Sequence, residues 1–117
     1  MPRLLLVDDD PDQVEIRRLI MERSGHVVTT ANSAAEALTS FINEPPDVVV
    51  MDLRLPRTED GLGLIRELRS RSSAVPILVL SGWPEDLRRQ PENRLVSYSL
   101  RKPVRSGRLL SLIDEVA

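Results

Sequence analysis

Five alternations of a short apolar run with an amphipathic stretch predict an α/β domain: a doubly wound, five-stranded parallel sheet with helices on both faces, (βα)5 in order. Three observations carry this. The run Val48-Val49-Val50-Met51 is apolar without alternation and bounded by Pro46 and Pro56, as suits a strand buried on both faces. Leu4-Leu5-Leu6-Val7 and Ile77-Leu78-Val79-Leu80 have the same character. Between the runs lie helix-length segments opened by capping residues and closed by glycine or proline, with no repeat, linker or low-complexity tract.

In chain order, Arg3 to Val7 is the first strand and runs into Asp8-Asp9-Asp10-Pro11-Asp12. Asp10 before Pro11 predicts a helix N-cap with proline at the first position, and Asp12 favours the positive end of the helix dipole. Asp8 and Asp9 have no such structural role. Val14, Ile16, Leu19 and Ile20, with Arg17 and Arg18 between them, give the first helix its amphipathic spacing, and Gly25 closes it. His26 opens the second strand, His26 to Thr30, and as a lone histidine is expected at the surface. Asn32 or Ser33 caps the next helix, whose apolar side is Ala34, Ala35, Ala37, Leu38, Phe41 and Ile42.

Pro45-Pro46 leads into the third strand, which ends at Asp52. After a loop from Leu53 to Glu59, a helix from Asp60 carries Leu64, Ile65 and Leu68 inward, and Gly63 suggests close backbone packing. The fourth strand, Ala74 to Leu80, stops at Ser81-Gly82. Pro84 to Gln90 allows a fourth helix of only about two turns before Pro91, short or irregular by the standards of the rest. Leu95 to Leu100 alternates as an edge strand does, and Arg105 to Ala117 forms the last helix.

Composition narrows the chemistry. With 117 residues the chain is one domain, 1–117, and without cysteine it has no disulfide, thiolate metal site or cysteine nucleophile. A net charge of -2 and a single Trp, Tyr and Phe argue against direct nucleic-acid binding. No run reaches membrane length, and no signal segment follows Met1, so a cytoplasmic protein without membrane contact is expected. Of the 16 basic residues Lys102 is the only lysine, which marks a place where a compact ammonium is needed instead of a planar fork.

Right-handed crossovers bring the carboxyl ends of all strands to one edge, where open α/β sheets bind ligands. That edge collects Asp8, Asp9, Asp52, Ser81 and Lys102. Carboxylate oxygens suit a hard divalent ion such as Mg²⁺, and a hydroxyl and an ammonium beside them complete a cage for phosphoryl oxygens.

The fragments Leu5-Leu6-Val7-Asp8-Asp9-Asp10-Pro11, Val50-Met51-Asp52-Leu53-Arg54-Leu55-Pro56, Asp60-Gly61, Leu80-Ser81-Gly82 and Arg101-Lys102-Pro103 resemble, together and in order, the receiver domains of two-component response regulators, the flavodoxin-like chemotaxis type. The resemblance implies the strand order 2-1-3-4-5. It also implies that Asp52 accepts a phosphoryl group from a phosphohistidine on a sensor histidine kinase or phosphotransfer protein. Mg²⁺ would be bound by Asp9 and Asp52, by Asp8 through water and by the backbone carbonyl of Arg54. Ser81 and Lys102 would hold the phosphoryl group, and the bond before Pro103 would be cis. Such a domain regulates and is no enzyme beyond its own phosphorylation and dephosphorylation, and it works as a monomer or weak dimer.

The chain departs from the family pattern in three places. The loop from Pro56 to Asp60-Gly61 is one residue longer than the commonest form. Ser99 stands where an aromatic switch residue is usual, while strand alternation turns Tyr98 to the opposite face. The fourth helix is confined by Pro84 and Pro91. Two competing expectations follow: a receiver-like interaction module that is never phosphorylated, or a small phosphohydrolase using Asp8 and Asp10. The sequence identifies neither the kinase nor the downstream effector, and it suits a stand-alone protein and a piece of a longer one equally.

Overall fold

The computed structural model describes residues 2–117. The elements alternate as β1 (Arg3–Val7), α1 (Pro11–Arg23), β2 (Val27–Ala31), α2 (Ala34–Asn43), β3 (Val48–Asp52), α3 (Thr58–Arg71), β4 (Ile77–Ser81), α4 (Glu85–Arg88), β5 (Tyr98–Arg101) and α5 (Ser106–Val116), with a 3₁₀ turn at Pro91–Leu95. All neighbouring strands are parallel, in the order β2-β1-β3-β4-β5. Doubly wound connectivity and strand order agree with the expectation from sequence.

Alternation along the central strands divides the core into two layers. Leu5, Val7, Val49, Met51, Ile77 and Val79 face Ala37, Phe41, Ile65, Leu68 and Leu87 of α2, α3 and α4. Leu4, Leu6, Val48, Val50, Leu78 and Leu80 face Met21 of α1 and Leu109, Leu112 and Ile113 of α5. Every residue of β3 and β4 is buried, which is why those runs are apolar without interruption.

Capping follows the sequence closely. The Asp10 side chain accepts from the Asp12 N–H at 3.0 Å, with Pro11 first in α1, and Ser33 accepts from the Glu36 N–H at 3.1 Å. Gly25, just past α1, has φ 93°, a conformation costly for any residue with a Cβ. The Lys102–Pro103 bond is cis, as the resemblance implied, and so is Leu55–Pro56.

Five expectations need correction. In α1 the buried residues are Val14 and Met21, whereas Ile16 and Leu19 are 52% and 45% exposed. The inward row instead includes Arg17, for a reason the site supplies below. α3 begins at Thr58, because the Asp60 carboxylate caps it by accepting the Arg57 N–H at 3.1 Å. The close-packed glycine is Gly61, not Gly63: a Cβ at 61 would stand 1.7 Å from the Leu53 carbonyl oxygen, one at 63 only 3.7 Å from the Arg66 side chain. α4 is a single turn, and the chain past Pro91 continues as the 3₁₀ turn. His26 is buried, ahead of β2, with Nε2 3.8 Å from Asp114 of α5.

Candidate phosphoryl and metal site

The strand register builds the site. Val7 pairs with Met51, so Asp8 and Asp52 leave the sheet side by side at its centre. Leu80 pairs with Asp52 and Ser81 with Arg101, which brings Ser81 and Lys102 to the same edge. Backbone bonds carry the ladder one residue past the strands: Asp8 N–H to Ala31 O at 3.1 Å, Leu53 N–H to Leu80 O at 3.1 Å, Lys102 N–H to Ser81 O at 2.9 Å. The side chains at this edge therefore sit on the stiffest part of the fold. They line a cleft of about 270 Å³ that holds Asp8, Asp9, Asp52, Arg54, Ser81 and Lys102, every residue the sequence had nominated.

Asp8, Asp52 and Ser81 are buried, and Asp9 is exposed at the rim. The Lys102 ammonium lies 2.7 Å from Asp52 Oδ1. That oxygen accepts no hydrogen bond in spite of its burial, since the ammonium approaches off the direction a hydrogen bond requires. Asp8 is fully engaged: Oδ1 accepts the Asp10 N–H at 3.0 Å and Oδ2 accepts from Arg17 Nη1 at 2.9 Å. Arg17 Nη1 is also 3.9 Å from Asp52 Oδ1.

Burial drives the Asp52 carboxyl up to about 7, and the Asp8 carboxyl beside it adds to this more than Lys102 offsets. Asp8 shifts the other way. Burial alone would raise it, but the Asp52 hydrogen bond, the Asp10 N–H and the charges of Lys102 and Arg17 hold it below the ordinary carboxylate value. Below about pH 7 the pair thus shares one proton, which favours Asp52.

The donor set fits a hard divalent cation. One carboxylate oxygen from each of Asp8, Asp9 and Asp52 falls within 4.8 Å of the others, all are oxygen ligands, and the unbonded Oδ1 of Asp52 has capacity to spare. Arg54, two residues past Asp52, lines the same cleft. The Ser81 hydroxyl accepts the Trp83 N–H at 3.0 Å, which leaves its own proton free to be donated into the cleft.

Sequence reasoning missed two features. Arg17 had its signal in helical spacing, since Val14, Arg17 and Met21 share a face. Arg54, Trp83 and Asp86 form a roof at the cleft mouth: the Arg54 guanidinium stacks 4.1 Å from the Trp83 ring centre and bonds Asp86 Oδ2 at 2.7 Å. Nothing in local pattern signals that contact, which spans two loops. Tyr98, by contrast, lies as expected away from the Ser99 face, its hydroxyl donating to Glu115 Oε1 of α5 at 3.2 Å.

Residues 4–114 match the family described as the response regulator receiver domain. The chain is 37% identical over 84 residues to the alkaline phosphatase synthesis transcriptional regulatory protein PhoP of Bacillus subtilis, which covers 72% of this chain and 35% of PhoP. It is 43% identical over 79 residues to the response regulator MprA of a Mycobacterium species, covering 68% of this chain and 34% of MprA. The chain thus spans about a third of the length of these regulators. Its fold matches that of TrrA from Thermotoga maritima, solved in complex with Mg(2+)-BeF, with a TM-score of 0.89 at 24% identity over the whole of both chains. Sequence match, strand order and the acid cluster at the switch of the sheet agree, and the chain belongs to the response regulator receiver domain family.

Proposed function

We propose that Asp52 is the phosphoacceptor of a two-component relay. Its carboxylate attacks the phosphorus of a phosphohistidine on a sensor histidine kinase or phosphotransfer protein; the P–N bond breaks, the electron pair stays with the imidazole, and an acyl phosphate forms on Asp52. The observation that carries this is the isolation of Asp52 at the floor of the cleft, with the Lys102 ammonium 2.7 Å from it and two further acids within ligand distance.

Each residue then has a task. Asp9, Asp52 and the Arg54 carbonyl, with Asp8 through water, would hold Mg²⁺, which would neutralise charge on the oxygens of the transferring group. The proton that Asp52 retains must leave before it can act as a nucleophile, and cation binding by the same acids favours its departure. Ser81 donates its hydroxyl proton and Lys102 its charge to the phosphoryl oxygens. The whole of 1–117 acts as one receiver domain in the cytoplasm, a monomer or weak dimer that regulates a further effector and does not turn over phosphate esters. Among the described residues no helix is long and apolar enough to cross a membrane.

The test is incubation with a small phosphodonor and Mg²⁺, read by intact mass. The wild type gains one phosphoryl group, and Asp52→Asn gains none. Lys102→Arg phosphorylates or switches at least about tenfold more slowly, because a guanidinium is wider than an ammonium and its donors are fixed in a fork. Its melting temperature hardly changes, since the Lys102 side chain is one-third exposed. Phosphorylation that persists in Asp52→Asn refutes the assignment.

A further inference from the structure

We infer that Arg17 is a tethered counter-cation of the phosphoryl site, one that weakens metal binding and favours the arrival of the phosphoryl group. This rests on the metal-dependent phosphoacceptor role proposed above. The observations are geometric. Arg17 leaves α1 on its inward face, at a position where the helix would otherwise bury an apolar side chain, and its side chain is only 18% exposed. Ile16 and Leu19 are left in solvent on the same helix, so the face is spent on delivering a charge. The guanidinium reaches Asp8 Oδ2 at 2.9 Å and stops 3.9 Å from Asp52 Oδ1, the oxygen Lys102 also approaches.

Charge counting gives the consequence. With the three acids ionised, Asp8, Asp9 and Asp52 face Lys102 and Arg17, leaving one negative charge. A divalent ion turns that into one positive charge, an unfavourable overshoot in a buried cleft. Phosphorylation replaces the single charge of Asp52 by the two of an acyl phosphate, and the site becomes neutral. Without Arg17 the order reverses: the site is neutral with metal alone and carries an uncompensated negative charge when phosphorylated. Arg17 therefore opposes the metal alone and favours a phosphoryl group arriving at the metal-loaded site. It also competes directly, because the Asp8 Oδ2 lone pair that accepts the guanidinium is not available to a metal-bound water.

The experiment is a Mg²⁺ titration of the full chain, followed by calorimetry and by the fluorescence of Trp83, the sole tryptophan, which lines the cleft. Arg17→Met should bind Mg²⁺ about tenfold or more tightly than the wild type, and Arg17→Lys should stay near it. With Mg²⁺ saturating, beryllofluoride, a phosphoryl mimic, should bind Arg17→Met about tenfold more weakly. Asp8 loses its partner in Arg17→Met, so Arg17→Gln, which keeps a donor for Asp8 without the charge, is measured beside it and should also gain affinity. Unchanged or weaker Mg²⁺ binding in both neutral variants overturns the role of Arg17 and leaves the phosphoacceptor site intact. A wild type that binds no Mg²⁺ overturns the metal-dependent role itself.

Discussion

Asp52 carries the largest electrostatic cost in the molecule, and that cost depends on pH. In the unfolded chain its carboxyl titrates near the ordinary 3.8, whereas in the folded cleft it titrates at about 7. Between those values the unfolded chain has released a proton that the folded chain still holds, so stability falls as pH rises through the window and the loss is complete above it. Asp8, shifted down, acts below 3.8 and in the opposite sense, and does not blur this window. Thermal melts in a chelator should show the melting temperature dropping between about pH 4 and pH 7. In Asp52→Asn the drop should flatten, and the protein should be more stable by about 1–3 kcal/mol at the alkaline end, because a buried group that must ionise has been replaced by one that need not. A wild-type melting temperature that climbs across the same range would refute the shared proton.

For single elements, the contrast between Gly61 and Gly63 separates packing from propensity. Gly61 lets the first turn of α3 lie against the Leu53 backbone, just past the phosphosite strand, and an added Cβ would meet a carbonyl that cannot move without displacing β3. Gly61→Ala should cost about 3 kcal/mol or more in chemical denaturation. Gly63→Ala should be neutral or stabilise by up to about 1 kcal/mol, since alanine is the better helix former and meets only a flexible arginine end. Equal effects of the two would refute the close approach at Gly61. The sequence carries the Asp60-Gly61 pair but not which glycine touches backbone, because that depends on how the loop from Leu53 returns. The same limit explains Arg17: on a helix with apolar residues on several sides, period alone does not reveal that the inward row is the one ending in a guanidinium.

Across the whole molecule, the doubly wound parallel sheet and the site were legible from the alternation of elements and from residues at strand ends such as Asp8, Asp52, Ser81 and Lys102, while the strand order came with the family resemblance. What escaped was the roof of Arg54 on Trp83, a contact between loops that no period encodes, whereas Pro84 and Pro91 had announced the short fourth helix. Those loops are where a response to phosphorylation belongs. The segment from Ser81 to Arg94 has one helical turn and a 3₁₀ turn, so its main-chain bonds between residues 83 and 93 are all local, while Tyr98 is held by Glu115 on the far face. Hydrogen exchange with Mg²⁺ and a phosphoryl mimic should change in residues 81–94, and the environment of Tyr98 should not. Changes restricted to α1 and α2 would refute this.

The register of four parallel strands has one more consequence. Asp8, Asp52, Ser81 and Lys102 become neighbours only when β1, β3, β4 and β5 have all paired, and each pairing spans a crossover. Non-local pairings of this kind are made late and cooperatively. No fragment of the chain, and no nascent chain lacking its last strand, can assemble the cleft, since the only lysine enters with β5. Competence to accept a phosphoryl group at Asp52, in the role proposed above, is thus an attribute of finished molecules alone.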